Sequence, residues 1–421
     1  MAALNRAMFL PYLKERWIDT DKMILAIIEN APILGMIEKK KMGGKYMHLP
    51  LLKVGAQGRS ATYATAVTNA AGSEAAGFDV SYVNNFQILK IENDLVNDSD
   101  GDDNAIAEAL DHEMETGIAS VKKDLQLGAF GNAGGARGRI GSVAAGTAGA
   151  NCRIVLLQTT DSKFFEPNMV LAVSANDGTA GGHALRDSGN TITVVGVDKI
   201  KGYLEFASDI TSSILGITTN DYIFGDGDFK LKVSGFRGWI PLSDPTSGDS
   251  FHGVDRTSSV QILSGLRYSG TGKPIEQALV DALGYGDLFD VEPDLFVLNP
   301  VRWAKLVNSL GADRANRLTK VTNNEATVSY NAVVVTGGRG DVPVVRDGGC
   351  GLDECLGLKM STWVWGYSGP RFVHVIGEGD GDGLEVRRGS GDSWQSELKS
   401  RSNLGCKQPG RNMRIALDSI V

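Results

Sequence analysis

The sequence predicts an α+β fold in which an extended hairpin, a long helix and a β-rich insertion are distinct parts. Three observations lead to this prediction. Residues 55–77 are a run of small residues between two strand-like segments, residues 104–127 carry one continuous apolar helical stripe, and residues 151–242 are short β-prone runs between turns. The 421 residues include 53 Gly, with 42% hydrophobic and 22% charged residues, which is typical of a globular chain rich in turns. A chain of this length has room for two or three domains.

The first segment, residues 4–37, has the pattern of an amphipathic helical arm. Its apolar residues are interspersed with charges, and Pro11 and Pro32 interrupt it. The arm precedes any predicted sheet, so we expect it to dock on the rest of the molecule or on a neighbouring one. Trp17, within this arm, is a candidate for contact between subunits.

Residues 45–91 predict an extended hairpin. Strand-like runs at 45–54 and 78–91 flank 23 residues, of which 17 are Gly, Ala, Ser or Thr; only Tyr63 and Val67 offer apolar bulk. A two-stranded hairpin alone is marginally stable in water, and a structureless loop of this length is unusual inside a compact domain. We therefore expect the hairpin to lie on another molecule, in a protein that assembles. The candidate contact residues of its tip are Gln57, Arg59, Tyr63 and Val67.

The strongest helical pattern in the chain covers residues 104–127, after an acidic stretch at 92–103. Its apolar stripe consists of Ile106, Leu110, Met114, Ile118, Val121 and Leu125. Carboxylates precede the helix, Lys122 and Lys123 lie near its end, and Gly128 follows it, in the sense that the helix dipole favours. At 1.5 Å per residue such a helix spans roughly 36 Å. We expect it to form a spine across a flat body.

A glycine-rich segment at 128–141 predicts a hinge into the β-rich insertion. The strands predicted in the insertion are 154–157, 169–173, 191–195, 201–206, 222–224 and 230–233. Mixed α/β patterns then resume. They predict helices at 274–283 and 300–310 and strands at 294–298, 332–336, 342–346, 362–365 and 372–376.

Charge and cysteine usage narrow the class of protein. The net charge of −8 disfavours a dedicated nucleic-acid-binding protein, which would neutralise phosphates with a basic face. The one tight basic cluster, residues 39–41, is typical of a solvated loop. Four cysteines are few and widely spaced, and Cys350 and Cys355 lack the partners of a zinc site. With neither a signal-peptide pattern nor a long apolar run, we expect a protein of a reducing cytoplasm that does not enter a membrane.

No motif predicts catalytic chemistry. Residues 112–116 begin like the zinc-protease helix but lack its second His. The acidic segment 378–383 resembles the start of a calcium-binding loop, but the twelfth position, which should be a bidentate Glu, is Gly389. The Arg-Gly-Asp sequence at 339–341 is typical of an ordinary tight turn. Acidic residues are plentiful, but no pair is singled out as catalytic. We therefore predict no catalytic residue, no cofactor and no metal site, and a protein that is not an enzyme.

The order of these parts resembles the major capsid (coat) proteins of tailed double-stranded DNA bacteriophages, which have the HK97-like capsid fold. The stretches that carry the resemblance are 110–131, 221–228 followed by 238–241, 294–303 and 340–347. Under this resemblance the predicted parts are an N-terminal arm (1–44), an extended hairpin loop (45–91), a peripheral domain with the spine helix (92–141 and 255–325), a β-rich insertion domain (142–254), and an axial domain with the C-terminal segment (326–421).

The resemblance implies a structural protein that self-assembles into pentamers and hexamers of an icosahedral head. Such a head encloses double-stranded DNA without sequence-specific binding, is assembled in the host cytoplasm and remains as the shell of the virion. It also implies a separate scaffolding protein, a portal and, in some cases, a cement protein. The alternative interpretations are a β-rich surface-binding module or adhesin and an enzyme with a β-rich lid; particle size separates a shell subunit from both.

Overall fold

The structure is a computed structural model of the whole chain. It describes residues 32–92, 103–144, 152–179, 182–246, 248–309, 318–323, 326–338, 340–369, 372–375, 387–388 and 393–418. Most of the predicted N-terminal arm, Trp17 included, lies outside these residues, as does most of the acidic stretch before the spine helix.

The elements confirm the predicted mixture of helices and strands. The α-helices are α1 (Pro32–Met36), α2 (Tyr63–Thr68), α3 (Asp103–Phe130), α4 (Ile210–Ser213), α5 (Phe236–Trp239), α6 (Val260–Ser264), α7 (Ile275–Asp287) and α8 (Pro300–Ser309). Strands β1–β12 are Glu38–Lys41, Tyr46–Val54, Glu74–Ser81, Val83–Glu92, Ala136–Ala144, Arg153–Leu156, Val170–Ser174, Ile192–Asp198, Tyr203–Phe206, Tyr222–Gly225, Ser250–Phe251 and Val254–Asp255. Strands β13–β23 are Leu266–Ser269, Leu295–Leu298, Leu318–Asn323, Ala326–Gly337, Gly340–Arg346, Glu354–Leu358, Trp363–Tyr367, His374–Val375, Arg387–Arg388, Ser393–Cys406 and Met413–Ala416.

The spine helix α3 lies on a mixed sheet built around β22. This sheet has the order β1-β19-β22-β20, and β4 and β21 also pair with β22. Leu89 of β4 packs against Gly117 of α3, where a Cβ would lie 2.3 Å from the Leu89 Cδ2 atom. A glycine inside a helix costs about 1 kcal/mol relative to alanine, and the close approach of β4 explains why one is present here.

The basic cluster at residues 39–41 is not the solvated loop that we predicted. It forms most of β1, which pairs in parallel with β19 at the edge of the same sheet. Lysines on an edge strand discourage pairing with a further chain, which gives the cluster a structural role.

The β-rich insertion is a closed barrel with strand order β10-β5-β6-β9-β8-β7. Its interior is apolar and includes Ile140, Ile154, Phe165, Leu171, Val194, Leu204 and Ile223. The predicted hinge at 128–141 contains the end of α3 and the start of β5. The strand predicted at 230–233 is wrong, because Lys230 has a φ of +62° and the segment turns there, away from the barrel.

A seven-stranded sheet, in the order β13-β23-β18-β14-β17-β16-β15, forms the remaining layer. Helices α7 and α8 cover one of its faces, where Leu279, Leu283 and Leu306 are buried with Phe296 and Val344. The opposite face belongs to the core of the spine-helix body, through side chains such as Val297 and Leu356.

The strand pairing groups two segments differently from the predicted domain ranges. β14 pairs with β17, although β14 is predicted to be peripheral and β17 axial. β22, predicted in the axial part, pairs with β4 over ten positions. The prediction follows order along the chain, whereas sheet pairing joins segments that are distant in sequence. The predicted domain boundaries all remain predictions.

Candidate functional site

The base of the hairpin formed by β2 and β3 is anchored on its own subunit. Burial alternates along β2, with Met47 and Leu49 facing inward, and Phe78 of β3 is fully buried. A Cβ at Gly405 would lie 2.5 Å from the Met47 Cε atom, and one at Gly366 would lie 2.6 Å from its Sδ atom. These two glycines let the hairpin lie directly on the sheet. The expectation that the whole hairpin lies on another molecule is therefore wrong for its base.

The tip of the hairpin has defined structure, and no other described part of the chain covers it. Gln57 and Ala71 close its neck through two backbone hydrogen bonds, with N···O distances of 2.9 and 3.1 Å. Beyond the neck the chain forms the short helix α2, which the sequence analysis missed. Tyr63 and Val67 lie one turn apart on α2, and their exposed fractions are 87% and 56%. The tip presents two adjacent apolar side chains to solvent.

The structure brings four of the five candidate contact residues to this tip. Tyr63 and Val67 lie side by side on α2, and Gln57 is at the neck. Arg59, which lies between Gln57 and Tyr63 in the sequence, is exposed. Trp17 lies outside the described residues. Their role in contacts between subunits remains a prediction.

A second exposed apolar surface lies on β4, and the sequence analysis did not single it out. Phe86 and Ile88 are 54% and 56% exposed. They lie opposite Lys399 and Glu397 of β22, and the Lys399 ammonium is 5.3 Å from the centre of the Phe86 ring. The signal in the sequence was that β4 has apolar residues on both of its faces. Leu89 faces α3, whereas Phe86 and Ile88 lie on the opposite face and need a different partner.

The bare surface of β4 continues the sheet face on which the hairpin base is seated. Along β22, Glu397, Lys399 and Gly405 point to the same side because side chains alternate along a strand. The hairpin base covers the Gly405 end of this face. The other end, around Phe86 and Ile88, has no cover from the described parts of the chain.

A four-charge cluster connects the spine helix with the point where the chain enters and leaves the barrel. Arg137 contacts Asp124 of α3 at 3.0 Å and Asp228 at 2.8 Å, and Lys232 contacts the same carboxylates at 2.8 and 2.9 Å. Asn85 of β4 donates to Asp124 at 2.8 Å. Strand β4, the spine helix and the barrel are thus fixed to one another through Asp124.

Glu354 is the centre of a second buried ion cluster. It lies between Arg237 and Arg414, with shortest contacts of 2.6 and 2.7 Å, and it accepts from the Gly351 amide at 3.1 Å. Burial raises the pKa of Glu354, but the two guanidiniums outweigh it and hold the pKa at about 2. Glu354 is therefore ionised throughout the physiological range and fixes α5 to the seven-stranded sheet.

A cavity of about 340 Å³ lies at the junction between the barrel and the rest of the subunit. Burial raises the pKa of Asp161, which lines it, to about 6, against the nearby charges of Arg237 and Lys163. Lys163 donates to the Gly348 carbonyl across the junction, and Arg237 is held by Glu354. The cations of this cavity are thus engaged in structural contacts.

The described residues contain no group of three or more His, Cys, Asp or Glu side chains placed to hold a metal ion. The four cysteines are buried, and burial raises the pKa of Cys406 to about 12, so its thiolate is disfavoured. Where the helices are described, none is long and apolar enough to cross a membrane. The acidic loop at 378–383 lies outside the described residues.

Comparisons with known proteins identify the fold. No protein-family model matches the chain, and no curated protein has a matching sequence. Among solved structures, the capsid asymmetric unit of cyanophage A-1(L) matches with a TM-score of 0.50 and 10% identity, covering 91% of each chain. Mycobacterium phage Bobi matches with a TM-score of 0.41 and 11% identity over 93% of this chain and 92% of that one.

The holo-SrpI encapsulin complex of Synechococcus elongatus matches with a TM-score of 0.40 and 8% identity over 90% of this chain and 84% of the other. The likeness to the cyanophage capsid protein extends over nearly the whole chain and is one of architecture. The chain has the HK97-like capsid fold.

Proposed function

We propose that this protein is the major capsid protein of a tailed bacteriophage, a structural subunit that assembles into pentamers and hexamers of an icosahedral head around double-stranded DNA. The observation that carries the proposal is the match to the cyanophage capsid subunit over 91% of each chain. The role is structural, not catalytic. Nothing in the described parts of the chain favours the alternative, a β-rich surface-binding module.

The exposed hairpin tip supports assembly from identical copies. The base of the hairpin is fixed by its own core, so the tip is held away from the body in a defined position. Tyr63 and Val67 at this tip offer apolar area that burial would stabilise by about 25 cal/mol per Å². We infer that the tip of one subunit packs on a second copy, with Gln57 and Arg59 in polar contacts at its rim.

The bare β4 surface is our candidate for the acceptor of this tip. Phe86 and Ile88 present two apolar side chains on one strand face, which matches the pair presented by the tip. Lys399 beside Phe86 accounts for a polar rim. Each sheet face would then be covered at one end by the subunit's own hairpin base and at the other end by the hairpin tip of a neighbouring subunit.

The remaining partners follow from the proposed role. A separate scaffolding protein, a portal and a cement protein would act during assembly in the host cytoplasm, and the finished shell would belong to the virion. The net charge of −8 suits a container that encloses DNA without gripping it. Strong, salt-sensitive binding of duplex DNA by the purified subunit would contradict that point.

The test is assembly of the full chain expressed alone and together with candidate scaffolding proteins. We expect megadalton particles with fivefold and sixfold units, seen by light scattering and electron microscopy. The double variant Tyr63→Ser with Val67→Ser should keep the melting temperature of the subunit but lose most of the particles. The matched control is Ile200→Ser, since Ile200 is 92% exposed at a barrel turn away from the tip. A subunit that stays a stable monomer or small oligomer under all conditions would overturn the proposal.

A further inference from the structure

Helix α7 presents an apolar face to solvent on the outside of the seven-stranded sheet. Val280, Gly284 and Leu288 follow one another at intervals of four residues, and Tyr285 and Phe289 lie beside them. Leu288 is 76% exposed, and the other three large side chains are also exposed. Most of the side chains on the inner face, such as Leu279 and Leu283, are buried on the sheet. The outer face is therefore additional to what the subunit needs for its own core.

Gly284 has no explanation in the described parts of the subunit. A Cβ at this position would meet none of their atoms within 4 Å. By contrast, Gly286 in the same helix is required, since its Cβ would lie 2.8 Å from the Met413 Cε atom. A glycine in a helix interior costs about 1 kcal/mol relative to alanine. Close approach of another backbone over Gly284 would account for this cost.

The charge around this face determines what kind of surface can cover it. Residues 273–294 contain six acidic residues and one lysine, so this segment has a net negative charge, although Lys273 pairs with Asp281 at 2.7 Å and Lys359 with Asp294 at 3.8 Å. Two copies joined through the same face would place carboxylates against carboxylates. The face therefore fits a different, cationic surface.

Such a surface exists at the opposite end of the same sheet. Helix α8 contains no acidic residue; its Arg302 is buried, whereas Lys305 and Val301 are exposed. Beside it, the Arg346 guanidinium lies 5.2 Å from the centre of the Trp303 ring. We call Val301, Lys305 and Arg346 the α8 rim.

Helices α7 and α8 are neighbours on the sheet, but the C-terminal end of the α7 face and the α8 rim lie at opposite ends of β17. Leu283 of α7 lies against Gly337, next to the turn that leads into β17. Arg346 is the last residue of β17, so six residue steps of about 3.3 Å put it roughly 20 Å away. One subunit thus carries an acidic apolar face at one end of this strand and a basic rim at the other.

We propose that the α7 face of one copy packs on the α8 rim of the next copy in a head-to-tail contact. A heterologous contact of this type closes into a ring when its rotation permits. Gly284 would sit where the two backbones approach most closely, and Leu288 would be the apolar anchor. The inference rests on the proposed shell function and adds the pair of surfaces that join neighbours within one ring.

Disulfide trapping tests the contact directly. The double variant Leu288→Cys with Val301→Cys is assembled, oxidised and separated on a denaturing gel without reductant. We expect a ladder of covalent multimers that ends at the pentamer or hexamer. Both single variants serve as controls, and the four native cysteines are buried, which limits background. A ladder absent from particles that do assemble overturns the inference, as does equally efficient dimer formation by Leu288→Cys alone.

The glycine gives a second test, which does not depend on cross-linking. Gly284→Ala should raise the melting temperature of the unassembled subunit while raising the concentration needed for assembly about tenfold, the equivalent of 1.4 kcal/mol per contact. The control is Ile200→Ala, an exposed position away from α7, which should assemble at the wild-type concentration. Assembly at the wild-type concentration would contradict the inference. If the wild-type chain forms no particles at all, the proposed function fails instead.

Discussion

Glu354 carries a charge that two arginines from distant segments balance. Arg237 belongs to α5 at the exit from the barrel, and Arg414 belongs to β23 near the end of the chain. The carboxylate is almost completely buried, so the arginines replace the water it would have in the unfolded chain. No local pattern around Glu354 identifies this arrangement, because both partners are brought in by the fold.

Glu354→Gln should destabilise the subunit by about 3 kcal/mol, because both guanidiniums lose their buried counter-charge. The folded pKa of about 2 lies below the ordinary value of 4.5. The contribution of Glu354 to stability is therefore present above pH 4.5 and is lost as pH falls toward 2. Urea unfolding of wild type and variant at pH values from about 2 to about 7 measures both effects.

The control is Asp244→Asn, which removes a carboxylate that is 78% exposed and pairs with Arg267. An exposed pair of this kind contributes roughly 0–1 kcal/mol. If the two variants lose the same stability, or if Glu354→Gln keeps the acid dependence of the wild type, the assigned role of Glu354 is wrong.

The reason for a glycine at a given position is likewise often a contact with a residue that is distant in sequence. Gly117 could be recognised as a cost inside a predicted helix, but its reason, the contact with Leu89, required the fold. Gly366 and Gly405 lie far from Met47 in sequence, and nothing near them indicates that a hairpin will be seated on them. Alternation along β2 predicts that one face is buried without identifying what covers it.

The longest helix was predicted from the sequence, whereas the longest strand, β22, was not. The apolar stripe predicted a helix at 104–127, and α3 is Asp103–Phe130. It continues past Gly128 because Phe130 is buried against Phe236, with ring centres 5.3 Å apart. Tertiary packing therefore overrides the glycine that was expected to end the helix.

Short elements depended on contacts that are not local. Helix α2 has six residues, fewer than an isolated helix needs for stability in water. Hydrogen bonds between Gln57 and Ala71 close the loop that contains it. The segment 230–233 has the composition of a strand, but Lys232 is recruited into the ion cluster with Asp124 and Asp228.

Helix α2 gives a prediction at the scale of one element. Ala66→Pro removes the amide that donates to the Thr62 carbonyl at 3.0 Å, and so it should unwind α2. We expect the melting temperature of the subunit to stay unchanged, because α2 contributes nothing to the buried core. Particle yield, measured by sedimentation, should fall severalfold since Tyr63 and Val67 lose their alignment.

Ala66→Ser is the matched control for this variant, because it keeps the amide donor at the same position. It should assemble like the wild type. Normal assembly of Ala66→Pro would mean that the helical form of the tip does not matter for contacts between subunits.

At the scale of the whole molecule, a group of polar contacts around Asp124 connects β4, the spine helix and the barrel. Asp124 joins α3 to β4 through Asn85 and to the barrel through Arg137 and Lys232. A force on β4 therefore reaches the spine helix and the barrel through direct contacts. The seven-stranded sheet is fixed to the same body through Glu354.

The division of the hairpin into an anchored base and an exposed tip separates folding from assembly. Replacing residues 56–72 by Asn-Gly, which favours a tight two-residue hairpin turn, removes the tip and keeps β2 and β3. We expect this truncated subunit to fold with a melting temperature close to that of the wild type, because Met47, Leu49 and Phe78 stay buried on the sheet. It should form no stable particles, since the tip contact with a second copy is gone. Calorimetry and electron microscopy measure the two properties independently, and particles of wild-type yield or a collapse of subunit stability would each contradict this separation.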